Sequence, residues 1–280
     1  MLKQRIITAI LLLAVLLPAL FHPDPAPFCA LTLLLIIAGG WEWGRLNGLG
    51  FGAALACGGG LGLVLGLAWW QFGLALALPG LWQAAGLFWV VATAWLLRAG
   101  VPGWPRIARG LRLTTGLALI ALAWWAMAQA RVQGVALLLS ILALVWTADI
   151  AAYFGGRAFG RRKLAPSISP GKSWAGVYSG AAGVLLLAAV WIWAELRYGS
   201  PGASLYGRLW AMGPLATLAG LLLLTAMSVC GDLIESLVKR SAGVKDSSGL
   251  LPGHGGVLDR LDALLPTLPL AMMLVGALHG

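Results

Sequence analysis

Residues 210–240 read WAMGPLATLAGLLLLTAMSVCGDLIESLVKR: an uncharged apolar run over 210–230, then two acids and two bases within ten residues. A helix rises 1.5 Å per residue, so about 20 apolar residues cross the ~30 Å hydrocarbon core of a bilayer. Similar runs recur near 5–22, 28–40, 51–72, 81–97, 111–129, 133–154, 175–195 and 263–279. Hydropathy therefore predicts about nine spans. The composition agrees, with 60% hydrophobic residues, 10% charged and a mean hydropathy of +0.90; soluble domains are about half apolar and a quarter charged. The expected fold class is all-α, a polytopic transmembrane helix bundle with no independent soluble domain. The first run also resembles a signal peptide, but it continues into LLPALFHPDPAP without a convincing small-x-small cleavage site, so it is expected to be retained.

The formal charge of +10 raises the question of nucleic acid, and its distribution answers it. Of the 19 basic residues, 16 fall before the first span or after the second, fourth, sixth and eighth; only Arg131, Arg197 and Arg208 occupy the alternate interruptions. Basic residues favour the cytoplasmic side. The N-terminus is then expected in the cytoplasm and the C-terminus on the exported side. Basic residues lying against a membrane leave no surface for nucleic acid. Cys29, Cys57 and Cys230 are far apart, have no CxxC spacing and read as buried, inert thiols.

Residues 1–130 read as an N-terminal scaffold. Gly58, Gly59, Gly60, Gly62 and Gly66 suit close helix–helix approach. Trp41, Trp43, Trp69, Trp70, Trp104, Trp124 and Trp125 lie near span ends, as in an interfacial aromatic belt. Residues 131–280 read as the catalytic transmembrane region, with cytoplasmic loops 155–174 and 231–262 placed to meet at one membrane face.

Asp149, in WTADIAAYFGGRAFGRRKL, falls in the last turns of the sixth span, where a carboxylate needs a polar cavity, a cation or a basic partner such as Arg157. The next loop contains GKS at 171–173. It is not a P-loop, because Pro166 stands where the first glycine must be and a helix precedes it where a strand is needed. In GDLIESLVKR, helical spacing puts Asp232, Glu235, Ser236, Lys239 and Arg240 on one face, while Asp259 and Asp262 share a face three residues apart. Carboxylates at adjacent helix ends make a hard-oxygen site suited to Mg²⁺, which favours carboxylates together with substrate phosphates. The glycine-rich segment between them adds Lys245, Asp246 and His254, with amides able to approach a phosphate.

Ser236, Lys239, Arg240, Lys245, Asp246, Ser248, Pro252, His254, Gly255, Gly256, Asp259, Arg260 and Asp262 match without a gap the signature of the phosphatidate cytidylyltransferases, the enzymes that make CDP-diacylglycerol. The segments WTAD, LAPSISPGKSW and GDLIES resemble the same family in the same order, so the resemblance covers roughly 146–262. It implies a nucleotidyltransferase that takes CTP and phosphatidic acid in the membrane. The resemblance implies that Asp232, Asp259 and Asp262 are metal carboxylates for Mg²⁺, with a second cation left open; Asp149, from its depth in the sixth span, is expected to contribute to the metal or nucleotide site. Asp232, Asp259 and Asp262 would be catalytic together with Lys239 and Arg240. Lys163, Ser169, Lys172, Ser173, Lys245, Asp246, His254 and Arg260 would bind substrate. It also implies a bacterial-type inner membrane, with a homodimer left open. A polyprenol kinase-like enzyme and a cation-coupled transporter are the alternatives.

Overall fold

The computed structural model describes residues 2–76 and 79–276. The end of the last predicted span, 277–279, lies outside the described residues, as do the side chains of Lys3 and Arg5. The described chain is mostly helical: α1 (Leu2–Phe21), α2 (Ala26–Leu46), α3 (Phe51–Phe72), α4 (Pro79–Ala99), α5 (Arg109–Gln133), α6 (Val135–Phe159), α7 (Trp174–Tyr198), α8 (Leu205–Ala211), α9 (Pro214–Ser241), α10 (Leu258–Leu261) and α11 (Leu264–Gly276). Seven of these, α2 to α7 and α9, are long and apolar enough to cross a membrane; the apolar part of α1 and the 13-residue α11 are shorter. Helices suit this solvent because each satisfies its own backbone hydrogen bonds where no water is available.

The chain divides into two compact units. The first comprises Met1–Ala77, Val101–Val135 and Glu235–Asp262. Here α2 packs on α3 through glycines, but only some of those expected. A Cβ at Gly58 would strike the Ile37 carbonyl and one at Gly62 would strike the Ile37 side chain, whereas Gly59, Gly60 and Gly66 face open space. The contact is the i, i+4 stripe, one face of α3. The belt reading of the tryptophans also needs correction. Trp124 is fully buried, its indole N–H directed at the Cys29 carbonyl and the Thr32 hydroxyl. Trp43 is buried and donates toward the Arg112 and Leu113 carbonyls at 3.2 Å. Of the seven, Trp70 is the one that stands largely exposed. Pairing of the N–H is not general among them: Trp104 and Trp125 are also buried, with no hydrogen-bond partner for the indole N–H among the described residues.

The second unit comprises Leu78–Gly100, Ala136–Ile234 and Ala263–Gly280. Small residues again set the packing: a Cβ at Gly176 or Gly180 would lie 2.9 Å from the Ala152 or Ala148 carbonyl, so α6 and α7 touch backbone to backbone. Between them the sequence expectation of a plain basic loop gives way to a hairpin, β1 (Lys163–Ala165) against β2 (Ser169–Ser173), antiparallel with Lys163 opposite Ser173. Ser173 ends the hairpin and caps α7, accepting from the Gly176 amide at 3.2 Å. The α7–α8 connection is held by buried Glu195, which accepts from the amides of Gly202 (3.3 Å) and Ser204 (3.0 Å).

Candidate active site

In the first unit, α9 runs eleven residues past the predicted span end at 230, to Ser241, and carries Glu235 and Lys239 one turn apart. The Lys239 ammonium lies 2.5 Å from both Glu235 Oε2 and Asp259 Oδ1, and all three side chains are nearly buried. The following segment folds back through Gly253 and Gly255, both at positive φ, and Leu251 bridges to Gly255. Gly255 is required twice over. Its φ of +83° suits glycine, and a Cβ there would lie 2.7 Å from Asp259 Oδ2.

Asp259 is the hub of this loop. Its Oδ2 accepts from the Ser247 amide (2.9 Å), the Ser247 hydroxyl (2.9 Å) and the Gly256 amide (2.7 Å). Burial pushes its carboxyl up, but the Lys239 ammonium and the Gly256 and Ser247 amides more than offset this and hold it below the usual carboxylate range. Arg260 turns back to donate to the His254 carbonyl, at 3.0 Å from Nε and 2.5 Å from Nη2. Arg240 donates to the Val244 carbonyl, while Lys245 and Asp246 stand exposed.

The carboxylate of Glu42, on α2, reaches the same loop. It is fully buried and accepts from Ser247, Ser248, Val257 and Leu258. The scaffold reading of residues 1–130 missed it. The signal was present: the chain has only nine acidic residues, and one of them interrupts the apolar helix as WEWGR.

In the second unit, Lys172 at the end of the hairpin pairs with Asp232 of α9 at 2.7 Å and reaches the Val229 carbonyl at 3.5 Å. Asp149 lies within electrostatic reach of both. Its basic neighbour is therefore Lys172; Arg157 instead points its guanidinium at the Tyr153 hydroxyl. Lys163 is exposed, and Ser169 is half-buried on β2. The Ser173 hydroxyl is engaged by the α7 amide.

A metal can be tested against these donors. Among the described residues no group of three or more His, Cys, Asp or Glu side chains is arranged to hold a metal ion. The donor chemistry nonetheless suits a hard cation. Glu235 Oε1 is buried without a hydrogen-bond partner, and Asp259 and Asp262 lie within electrostatic reach of it. One ammonium, Lys239, is shared by two of these three carboxylates. A cation there would compete with Lys239 for Asp259.

The Cytidylyltransferase family model matches residues 3–278. A protein of Pseudomonas aeruginosa named phosphatidate cytidylyltransferase is 39% identical, over 99% of this chain and 98% of its own length. A protein of the same name from Haemophilus influenzae is 36% identical, covering 96% of each chain. A chloroplastic phosphatidate cytidylyltransferase of Arabidopsis thaliana is 37% identical over 69% of this chain and 42% of its own. With the match running from the first helix to the last, this chain belongs to the cytidylyltransferase family.

Proposed function

We propose that this chain transfers a cytidylyl group from CTP to phosphatidic acid, giving CDP-diacylglycerol and pyrophosphate. The observation that carries the reading is the near end-to-end similarity to proteins named for that reaction. A phosphate oxygen of the lipid attacks the α-phosphorus of CTP, and the bond from that phosphorus to the β-phosphate oxygen breaks. The lipid phosphate is already an anion, so no side chain need act as general base. The difficulty is electrostatic, because two polyanions must approach and charge builds on departing pyrophosphate.

The residues offered to that problem are cationic and carboxylate groups at the ends of apolar helices. Lys239 and Arg240 are read as catalytic cations. Lys163, Lys172, Lys245, Arg260, His254, Ser169, Ser173 and Asp246 are read as substrate-binding groups. The carboxylates of Asp259 and Asp262, and those of Asp232 and Asp149, are read as ligands for Mg²⁺. A bound metal would supply charge neutralisation and orientation of the phosphates. Lys239 already holds Asp259 in a defined orientation, and Lys172 holds Asp232. We place these groups at the cytoplasmic face of a bacterial-type inner membrane, on the distribution of Lys and Arg.

The assay is purified protein with phosphatidic acid, Mg²⁺ and CTP labelled at the α-phosphate. Label should enter the lipid, and a chelator should stop it. In a parallel reaction with CTP labelled at the γ-phosphate, label entering the lipid would identify a kinase instead.

A further inference from the structure

Glu42 accepts four hydrogen bonds from the segment around Asp259, yet it lies more than two hundred residues away in sequence. Its Oε1 accepts from the Ser248 hydroxyl (2.5 Å) and the Val257 amide (2.9 Å). Its Oε2 accepts from the Ser247 hydroxyl (3.1 Å) and the Leu258 amide (2.8 Å). The two amides belong to the start of α10, the helix that carries Asp259. Gly256 lies against the carboxylate so closely that a Cβ there would strike both Glu42 and Ser247. Every donor to Glu42 thus belongs to the segment that sets where Asp259 stands.

Ser247 joins the two acids. Its hydroxyl lies 3.1 Å from Glu42 Oε2 and 2.9 Å from Asp259 Oδ2. A hydroxyl has one proton and can serve one of them at a time. When Asp259 Oδ2 takes another partner, that proton has Glu42 to turn to, and the loop need not move.

We infer that Glu42 is a positioning residue for cytidylyl transfer, fixing the Ser247–Leu258 backbone and accepting the Ser247 hydroxyl hydrogen bond so that Asp259 Oδ2 is free to take another partner. The inference rests on the reading of Asp259 as an active-site group. Glu195 makes the same kind of clamp on the α7–α8 connection, where no substrate residue is assigned. A purely architectural role is therefore the competing explanation, and the test must separate the two.

Glu42→Gln keeps the volume but turns an NH₂ group toward one pair of donors, and a main-chain N–H cannot rotate away. The full-length protein in lipid nanodiscs is assayed for kcat, KM for CTP and thermal unfolding. The variants are E42Q, S247A, the double variant and D259N. In E42Q, kcat should fall about thirtyfold or more while KM for CTP moves less than about threefold, the mark of an interaction that matters in the transition state. S247A should lose about tenfold at an unchanged unfolding temperature, and the double variant should be no worse than E42Q, because coupled residues are not additive. Parent-like kcat in E42Q overturns the inference, as does full multiplication of the two losses in the double variant. If E42Q does not fold, S247A decides, since it removes the joint and leaves both acids; parent-like turnover there also overturns it. Parent-like turnover in D259N is a different failure, removing Asp259 from the reaction whatever E42Q does.

Discussion

Lys239 between Glu235 and Asp259 is an example of charge that is costly to disturb. Removing one member of a buried ionic cluster leaves uncompensated charge and costs about 3–5 kcal/mol. Lys239→Met should lower the unfolding temperature sharply as well as abolish turnover, whereas replacing exposed Lys245 with Met should leave stability unchanged. Thermal unfolding of both variants checks this. Asp259 also gives stability a pH dependence of known sign. Its folded carboxyl titrates below the usual range, while in the unfolded chain it titrates near pH ~3.9. The stabilisation is then complete above the unfolded value and disappears as pH falls through the lower folded value. Unfolding temperatures measured from about pH 6 down to about pH 3 should drop on the acid side, and D259N should drop less. At this scale the sequence was informative about residue type and poor about partnership. The face shared by Glu235 and Lys239 follows from helical spacing, and so does the crowding of charge between apolar runs. That Asp259 is satisfied by Ser247 and Gly256, and that Glu42 serves the same loop, depends on tertiary contacts between positions with no periodic relation.

Helix packing shows which local signals decide and which do not. Six glycines in α3 look equivalent as residue types, but only Gly58 and Gly62, one turn apart, touch α2. Gly58→Ala should destabilise by about 1–3 kcal/mol through overpacking against backbone. Gly59→Ala, facing open space, should be neutral or slightly stabilising, since alanine is the better helix former. Thermal unfolding of the two variants in one detergent decides it, and equal shifts would contradict the packing described. The α6–α7 connection gives the opposite lesson. Residues 155–174 were legible as basic and serine-rich, but LAPSISPGKS has too little alternation to announce strands. Its hairpin depends on Ser173 serving both as the last strand residue and as the cap of α7.

For the molecule as a whole, hydropathy recovered the seven helices long and apolar enough to cross a membrane, because length and apolarity are properties of contiguous sequence; the other two predicted spans correspond to the shorter α1 and α11. The compact units are not contiguous: each gathers three separate stretches of chain, and no linker composition marks where one stretch yields to the next. The sidedness read from Lys and Arg has a direct check. A cysteine introduced at exposed Val244 should react with a membrane-impermeant maleimide only in inside-out vesicles, and one introduced at Ser200 only in right-side-out cells or spheroplasts. The dependence of Glu42 on residues 247–258 also has a consequence for biosynthesis. Glu42 is polymerised 205 residues before Ser247. At about 5–20 residues per second the wait is roughly 10–40 s. Throughout it, an acid destined for a dry interior has none of its final donors. The nascent chain must therefore keep the end of α2 at the headgroup level, or in the care of the insertion machinery, until the last loop arrives to claim it.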